Sequence, residues 1–297
     1  MADAPATPLR AVPPRARTLA LTALAMLAFA ANSLLCRLAL QRRGIDPASF
    51  TAIRLLAGAL VLPLLVRLRP GTRPPPRADW LAAAMLFVYA AFFSFAYLSL
   101  AAGTGALVLF GAVQLTMFGV GLVRGERLGA MAWGGLLLAI GGLVYLVSPG
   151  VSAPPLLGTA LMAVAGVAWG VYSLRGRGVA DPLAATAANF VRAAPLGLLL
   201  GALLIAHAHA DPAGIVLALA SGALTSGVGY AVWYAALPGL SALSAATVQL
   251  SVPLIAALGG VLLLGEAITP RLLLAALAIL GGIAVVLRRK SSPRRSP

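Results

Sequence analysis

The side chains in this sequence that could do chemistry are cations, rings and amides set into apolar text, and no acid accompanies them. Arg54 and Arg192 each lie several residues inside a long apolar run, where a charge is costly and marks either a functional position or a side chain reaching back to the membrane interface. Aromatic residues gather in three runs: Tyr89, Phe92, Phe93 and Tyr97; Trp169 and Tyr172; Tyr230, Trp233 and Tyr234. Spacings of three and four put the first group on one helix face. Asn32, Ser33, Gln114 and Gln249 are the neutral polar groups deepest in their runs. Buried amides also serve as plain helix-to-helix glue, and rings also line the lipid interface. As a set, however, these residues have the chemistry of a site for a small amphipathic molecule. Rings stack on an apolar moiety, hydroxyl and indole N–H groups orient a polar end, and amides donate to a carboxylate and accept from an ammonium. Arg54 and Arg192 are candidates for gating or for attracting a carboxylate.

Catalysis finds no such set. All seven acids, Asp3, Asp46, Asp79, Glu126, Asp181, Asp211 and Glu266, fall at the ends of apolar runs or between them. The two histidines, His207 and His209, share one short loop, and Cys36 is the sole cysteine, so neither a disulfide nor a cysteine metal cluster can form within the chain. No nucleophile with a base, no carboxylate pair and no metal-ligand group is offered. The expectation is a protein that is not an enzyme, with no catalytic residue, metal or cofactor. Proton-coupled carriers keep an ionisable group inside the membrane; with no carboxylate there, facilitated movement or exchange is favoured. Glu126 and Glu266 follow Gly125 and Gly265 where one run ends and the next begins. Each is expected to sit at the positive end of the following helix, or to pair with Arg127 or Arg271 as a gate. Asp46-Pro47 and Asp181-Pro182 read as helix starts.

The elements that must position these groups are membrane helices. Hydrophobic residues make up 61% of the chain and charged ones 10%, with mean hydropathy +0.99, against about 25% charged in an ordinary soluble domain. A span needs roughly 20 apolar residues. Apolar runs between Pro, Gly and charge punctuation predict ten helices, at 18–40, 48–68, 79–100, 104–124, 128–148, 155–175, 183–206, 213–236, 241–264 and 270–288. Residues 1–17 read as a disordered basic tail, and 290–297 as a second basic tail. The net charge of +15 sits in these tails and at span ends, the pattern of cytoplasmic flanks rather than of a nucleic-acid surface. Pro63, Pro195 and Pro253 lie inside spans, where each frees a carbonyl and permits a bend; they are the hinge candidates. Gly121 with Gly125, Gly166 with Gly170 and Gly197 with Gly201 allow close helix approach.

The text also repeats. Gln249, Gly265-Glu266 and Gly281-Gly282 have earlier counterparts in Gln114, Gly125-Glu126 and Gly141-Gly142. The two Gly pairs recur at a constant offset of 140 residues, so the halves 18–149 and 150–289 read as copies of one unit. Each copy holds five spans. Five is odd, so the second copy must enter the membrane from the opposite side, which gives inverted repeats around a central cavity near the midplane. Sixteen Lys and Arg residues fall on one side of this arrangement against Arg42, Arg43 and Arg271 on the other, which predicts that both termini are cytoplasmic. The shorter distance from Gln114 to Gly125 than from Gln249 to Gly265 predicts a fourth helix about five residues, or about 7 Å, shorter than the ninth.

The ordered set of Pro253, Gly265-Glu266, Gly281-Gly282, Trp169-Gly170 and early-span Arg54 and Arg192 resembles the drug/metabolite transporter superfamily, and within it the ten-helix EamA-type exporters. The resemblance covers Thr18 to Arg289. It implies an all-α integral membrane protein, a multi-pass secondary carrier of the bacterial inner membrane working by alternating access. The Leu109 to Met117 text resembles the branch that exports aromatic and other amino acids. Alternatives are another amphipathic metabolite, a drug, or a phosphorylated or nucleotide-linked sugar; a non-transporting scaffold fits the inverted polar halves less well. The implied partners are a small-molecule substrate and the bilayer, without nucleic acid. The sequence sets no oligomeric state and is compatible with a monomer. The candidate substrate-binding residues are Asn32, Ser33, Tyr89, Phe93, Tyr97, Gln114, Trp169, Tyr172, Tyr230, Trp233 and Gln249.

Overall fold

The computed structural model describes residues 15–69, 78–125, 129–150 and 152–290. Most of both basic tails, most of the 69–78 connection, and Glu126 with Arg127 lie outside them. The described chain is helical, with one isolated bridge between Ile45 and Ala210. In the first half α1 runs Arg15–Gln41, α2 Pro47–Arg67, α3 Trp80–Ala96, α4 Ala102–Val123 and α5 Ala130–Val147. In the second, α6 runs Leu156–Arg175, α7 Pro182–Leu203, α8 Pro212–Gly239, α9 Ser244–Leu264 and α10 Pro270–Lys290. Nine of these are long and apolar enough to cross a membrane, and α3, with 17 residues, is shorter.

Four helix starts follow from local chemistry. Asp46, Asp79, Asp181 and Asp211 each accept a backbone N–H of the first turn, satisfying one of the donors a helix N-terminus leaves open. Pro47, Pro182 and Pro212 follow as first helical residues, where the missing N–H costs nothing. Gly265 ends α9 at φ 67°, a conformation open to glycine without strain.

Exchange of the halves accounts for the packing. α3 lies on α6 as α8 lies on α1; α4 on α6 as α9 on α1; α3 on α7 as α8 on α2. The pairs α2–α7, α4–α9 and α5–α10 each join a helix to its own repeat mate. The main contacts thus map onto one another or onto themselves, the mark of a two-fold relation between two five-helix units of opposite orientation. Small residues allow the closest approaches: a Cβ at Gly166 of α6 would stand 2.6 Å from Ala112 Cβ and 2.7 Å from Leu109 O of α4. α5 and α10 form the outer pair, with Leu137, Leu138, Leu273, Leu274 and Leu277 exposed on their outer faces, the surface that the bilayer covers.

Three expectations need correction. α4 is not short: it has 22 residues and α9 has 21. The unequal spacing arises because Gln114 and Gln249 are not counterparts, not because a turn is missing. α8 is not uniform, since Ser221–Val228 is π-helix between two α-helical pieces, a widened turn of the kind found at functional positions. In α9 the helix is interrupted at Gln249 and Leu250, and Pro253 falls in the first turn of the piece Ser251–Leu264, where proline fits without breaking a helix.

Candidate functional site

Asn32 of α1 is the polar centre of the bundle. Its Oδ1 accepts from Ser221 Oγ at 2.7 Å and Thr225 Oγ1 at 3.2 Å, and its Nδ2 lies 3.4 Å from Tyr89 Oη. One amide therefore joins α1, the π segment of α8 and α3. The single Thr225 hydroxyl proton is shared between Asn32 Oδ1 and Ser221 O, the latter at 2.8 Å. Gly222 brings the π segment against Arg54 O of α2, so closely that a Cβ there would collide with that carbonyl.

Arg54 is 2% exposed. Its guanidinium carbon lies 5.1 Å from the centres of both the Tyr89 and Phe93 rings, and Nη2 donates to Tyr89 Oη at 3.1 Å. Having accepted from Arg54 and Asn32, the Tyr89 hydroxyl keeps its own proton to donate. Nε and Nη1 of Arg54 are buried and have no hydrogen-bond partner among the described residues.

The rings form a continuous wall from both halves. Trp169 of α6 stacks on Tyr172 at 5.2 Å and on Tyr230 of α8 at 5.7 Å, and meets Tyr89 of α3 at 4.7 Å. Phe29 closes against Tyr230 and Trp233, and Phe190 meets Tyr230 edge-on. The hydroxyls at the far edge are chained: Tyr172 donates to Thr186 Oγ1 at 3.2 Å, which lies 2.9 Å from Tyr234 Oη. Offset rings and chained hydroxyls make a surface for one flat apolar group with a polar end.

Asn32, Tyr89, Phe93, Trp169, Tyr172, Tyr230, Trp233 and Arg54 are thus brought together. Tyr97 extends the set, packing edge-on against Phe93 at 4.8 Å, with its hydroxyl donating to Ala102 O and Ser33 beside it. Gln249 donates to Ala245 O of its own helix, and Gln114, buried in α4, is joined to the cluster by no hydrogen bond among the described residues. Arg192 stands apart from Arg54: it donates to Ala188 O of its own helix and lies over the Trp80 ring. Pro63 and Pro195 lie within continuous α2 and α7. Sequence reasoning passed over Phe29, Thr186, Phe190, Ser221 and Thr225. A signal for the last two existed, a hydroxyl pair four apart among Gly222, Gly227 and Gly229.

Both faces of the bundle are tied across the halves. On one, Arg69 meets Asp181 at 2.9 Å and Arg175 meets Asp79 at 2.7 Å. On the other, Arg37 of α1 meets Glu266 at 3.1 Å and donates to Tyr97 O, while Glu266 Oε2 accepts Ala102 N at 2.8 Å. Glu266 therefore caps α4 of the opposite half, a correction to its expected place at the start of α10; nor does Arg271 pair with it, since that guanidinium donates to Ser148 O. Asp46 on this face accepts N–H groups of Ala48, Ser49 and His209. Burial pushes its carboxyl up, but hydrogen bonds from Ser49, His209 and Ala48 outweigh that and hold it below the usual carboxylate value. Among the described residues no group of three or more His, Cys, Asp or Glu side chains could hold a metal ion.

Residues 16–148 and 156–288 each match the EamA-like transporter family. The chain is 60% identical over 274 residues to an uncharacterized protein of Pseudomonas aeruginosa, covering 92% of this chain and 96% of that one. It is 28% identical over 258 residues to an uncharacterized transporter of Archaeoglobus fulgidus, covering 82% and 87%. A crystal structure superposes with TM-score 0.66 at 22% identity, over 95% of this chain and 100% of the other, a likeness of fold.

Proposed function

Because the chain belongs to the EamA-like transporter family, we propose that its halves carry small amphipathic metabolites, aromatic and other amino acids foremost, out of the cell by alternating access. The observation that carries this reading is Trp169 stacked on Tyr172 and on Tyr230 and packed against Tyr89, a ring-lined surface built from both halves with Asn32 and Arg54 at its edge. An indole or phenyl group enters such a stack, and its polar end meets the hydroxyls and the amide. Rocking of the halves then exposes this surface to each side in turn, with the ties on the two faces opening alternately. Pro63, Pro195 and the break at Gln249 and Leu250 just before Pro253 are the hinge positions in this scheme, and Arg192 anchors α7 near the interface. With every acid among the described residues at a helix end or in a loop, the solute gradient or exchange drives movement rather than a carried proton. The protein resides in the bacterial inner membrane with both termini cytoplasmic, and a single copy contains the whole site.

Purified protein in liposomes preloaded with phenylalanine or tryptophan tests the reading by counterflow of labelled amino acids and sugar phosphates, with and without a pH gradient. The aromatic amino acids are expected to exchange, sugar phosphates are not, and the pH gradient changes nothing. Trp169→Ala is expected to slow exchange about tenfold, the worth of one aromatic pair. Failure of every amino acid to move, or a substrate-dependent proton flux, would remove the substrate or the mechanism respectively.

A further inference from the structure

Arg54 is a fixed cation 2% exposed in the middle of the bundle, with Nε and Nη1 unpartnered among the described residues. Its surroundings are the Tyr89 and Phe93 rings, the Tyr89 hydroxyl, and beyond them Tyr230 and Cys36. None of these is a counter-ion, and every acid among the described residues lies at a helix end or in a loop. A buried charge without a partner is tolerated in a native structure where something else completes it. The free donors adjoin Tyr89, and Tyr89 in turn adjoins Trp169, so whatever completes the charge lies beside the ring stack.

We propose that Arg54 docks the carboxylate of an aromatic monocarboxylic acid whose ring stacks on Trp169, and that an α-ammonium on this ligand is dispensable. This rests on the carrier reading above and narrows its substrate class. A single cation among rings matches a monoanion; a phosphate dianion would need further cations that the cluster lacks. The ammonium has no comparable receiver. Asn32 Oδ1 already accepts from Ser221 and Thr225, and the remaining acceptors are neutral hydroxyls. The free acid is therefore bound at least as well as its amino acid, whereas the amine or amide, which leaves the guanidinium unpaired, is rejected.

Tryptophan fluorescence of the full chain in nanodiscs, in chloride-free buffer, measures this with 3-phenylpropionate, L-phenylalanine, phenylalaninamide and phenethylamine. The two carboxylates are expected to bind with similar affinity, and the amide and amine about tenfold or more weakly. Arg54→Gln is expected to abolish that preference without weakening amine binding, and Arg54→Lys to restore part of it. Binding of the amine or amide as tight as that of the acid overturns the proposal, as does equal fluorescence change with chloride alone or no binding by either acid. The ligand series on the unaltered protein decides the matter even where Arg54→Gln fails to fold. Carboxylate binding without counterflow would uphold the docking site and sink the carrier reading; counterflow of ligands lacking a carboxylate would do the reverse.

Discussion

Arg54 and Arg192 occupy similar text early in matching helices, yet one is enclosed by rings and the other bonds its own helix and lies over Trp80. Local sequence could not separate them, because the difference is made by what packs opposite: Gly222 of the π segment against the Arg54 backbone, and the Trp80 ring of α3 over Arg192. At the faces single residues carry two duties. Asp79 caps α3 through Ala82 N and pairs with Arg175 of α6. Burial pushes its carboxyl up, but the hydrogen bonds from Arg175 and Ala82 hold it below the ordinary value. A carboxyl lowered in the folded state contributes stability at neutral pH that disappears as pH falls through its lowered value. Thermal unfolding in detergent should therefore be flat from neutrality to about pH 5 and weaken toward about pH 3. Asp79→Asn keeps a capping side chain and loses the ion pair. Its cost at neutral pH should be below about 1 kcal/mol, since the partners are partly exposed, and its acid limb should be flatter. An acid limb identical to the parent's would show that this pair contributes nothing.

At the scale of elements, the helix starts were legible because Asp-Pro capping is local, and the number of spans was legible because bilayer thickness fixes the length of apolar text. The π segment was not. Its cause is remote: Ser221 and Thr225 both reach Asn32 of α1, and such a contact leaves no period in the sequence. Glu266 was misplaced for the same reason, since its partners Arg37 and Ala102 lie in the other half. The α1–α8 junction makes a measurable claim. Replacing Ser221 with Ala and Thr225 with Val strands a buried amide oxygen and should cost about 1–3 kcal/mol of unfolding free energy. Adding Asn32→Leu should return much of it, because the unsatisfied group is then gone. Strictly additive losses in denaturant titrations would contradict the coupling.

For the whole molecule, the inverted architecture follows from counting five spans per repeat, and the exchangeable contacts of α3–α6 with α8–α1 bear it out. The ring wall was only half readable: Tyr89, Trp169 and Tyr230 stood out by type, whereas Phe29 and Phe190 looked like ordinary apolar text until folding brought them to Tyr230. The uncompensated guanidinium at the bundle centre has an electrical consequence. An empty carrier bears a positive charge at its middle; a carrier holding a monoanion there is neutral. The membrane field, worth about 2.3 kcal/mol per elementary charge per 100 mV, then acts on the empty return step and spares the loaded one. An inside-negative potential favours return of the vacant site to the cytoplasmic side, where it reloads. Net efflux of 3-phenylpropionate from vesicles clamped with potassium and valinomycin should rise with that potential while its one-for-one exchange stays constant. Voltage dependence of exchange alone would contradict this. Where Arg54 docks a monoanion in this way, the cell's resting voltage acts as a rectifier that sets the direction of traffic without a coupling ion.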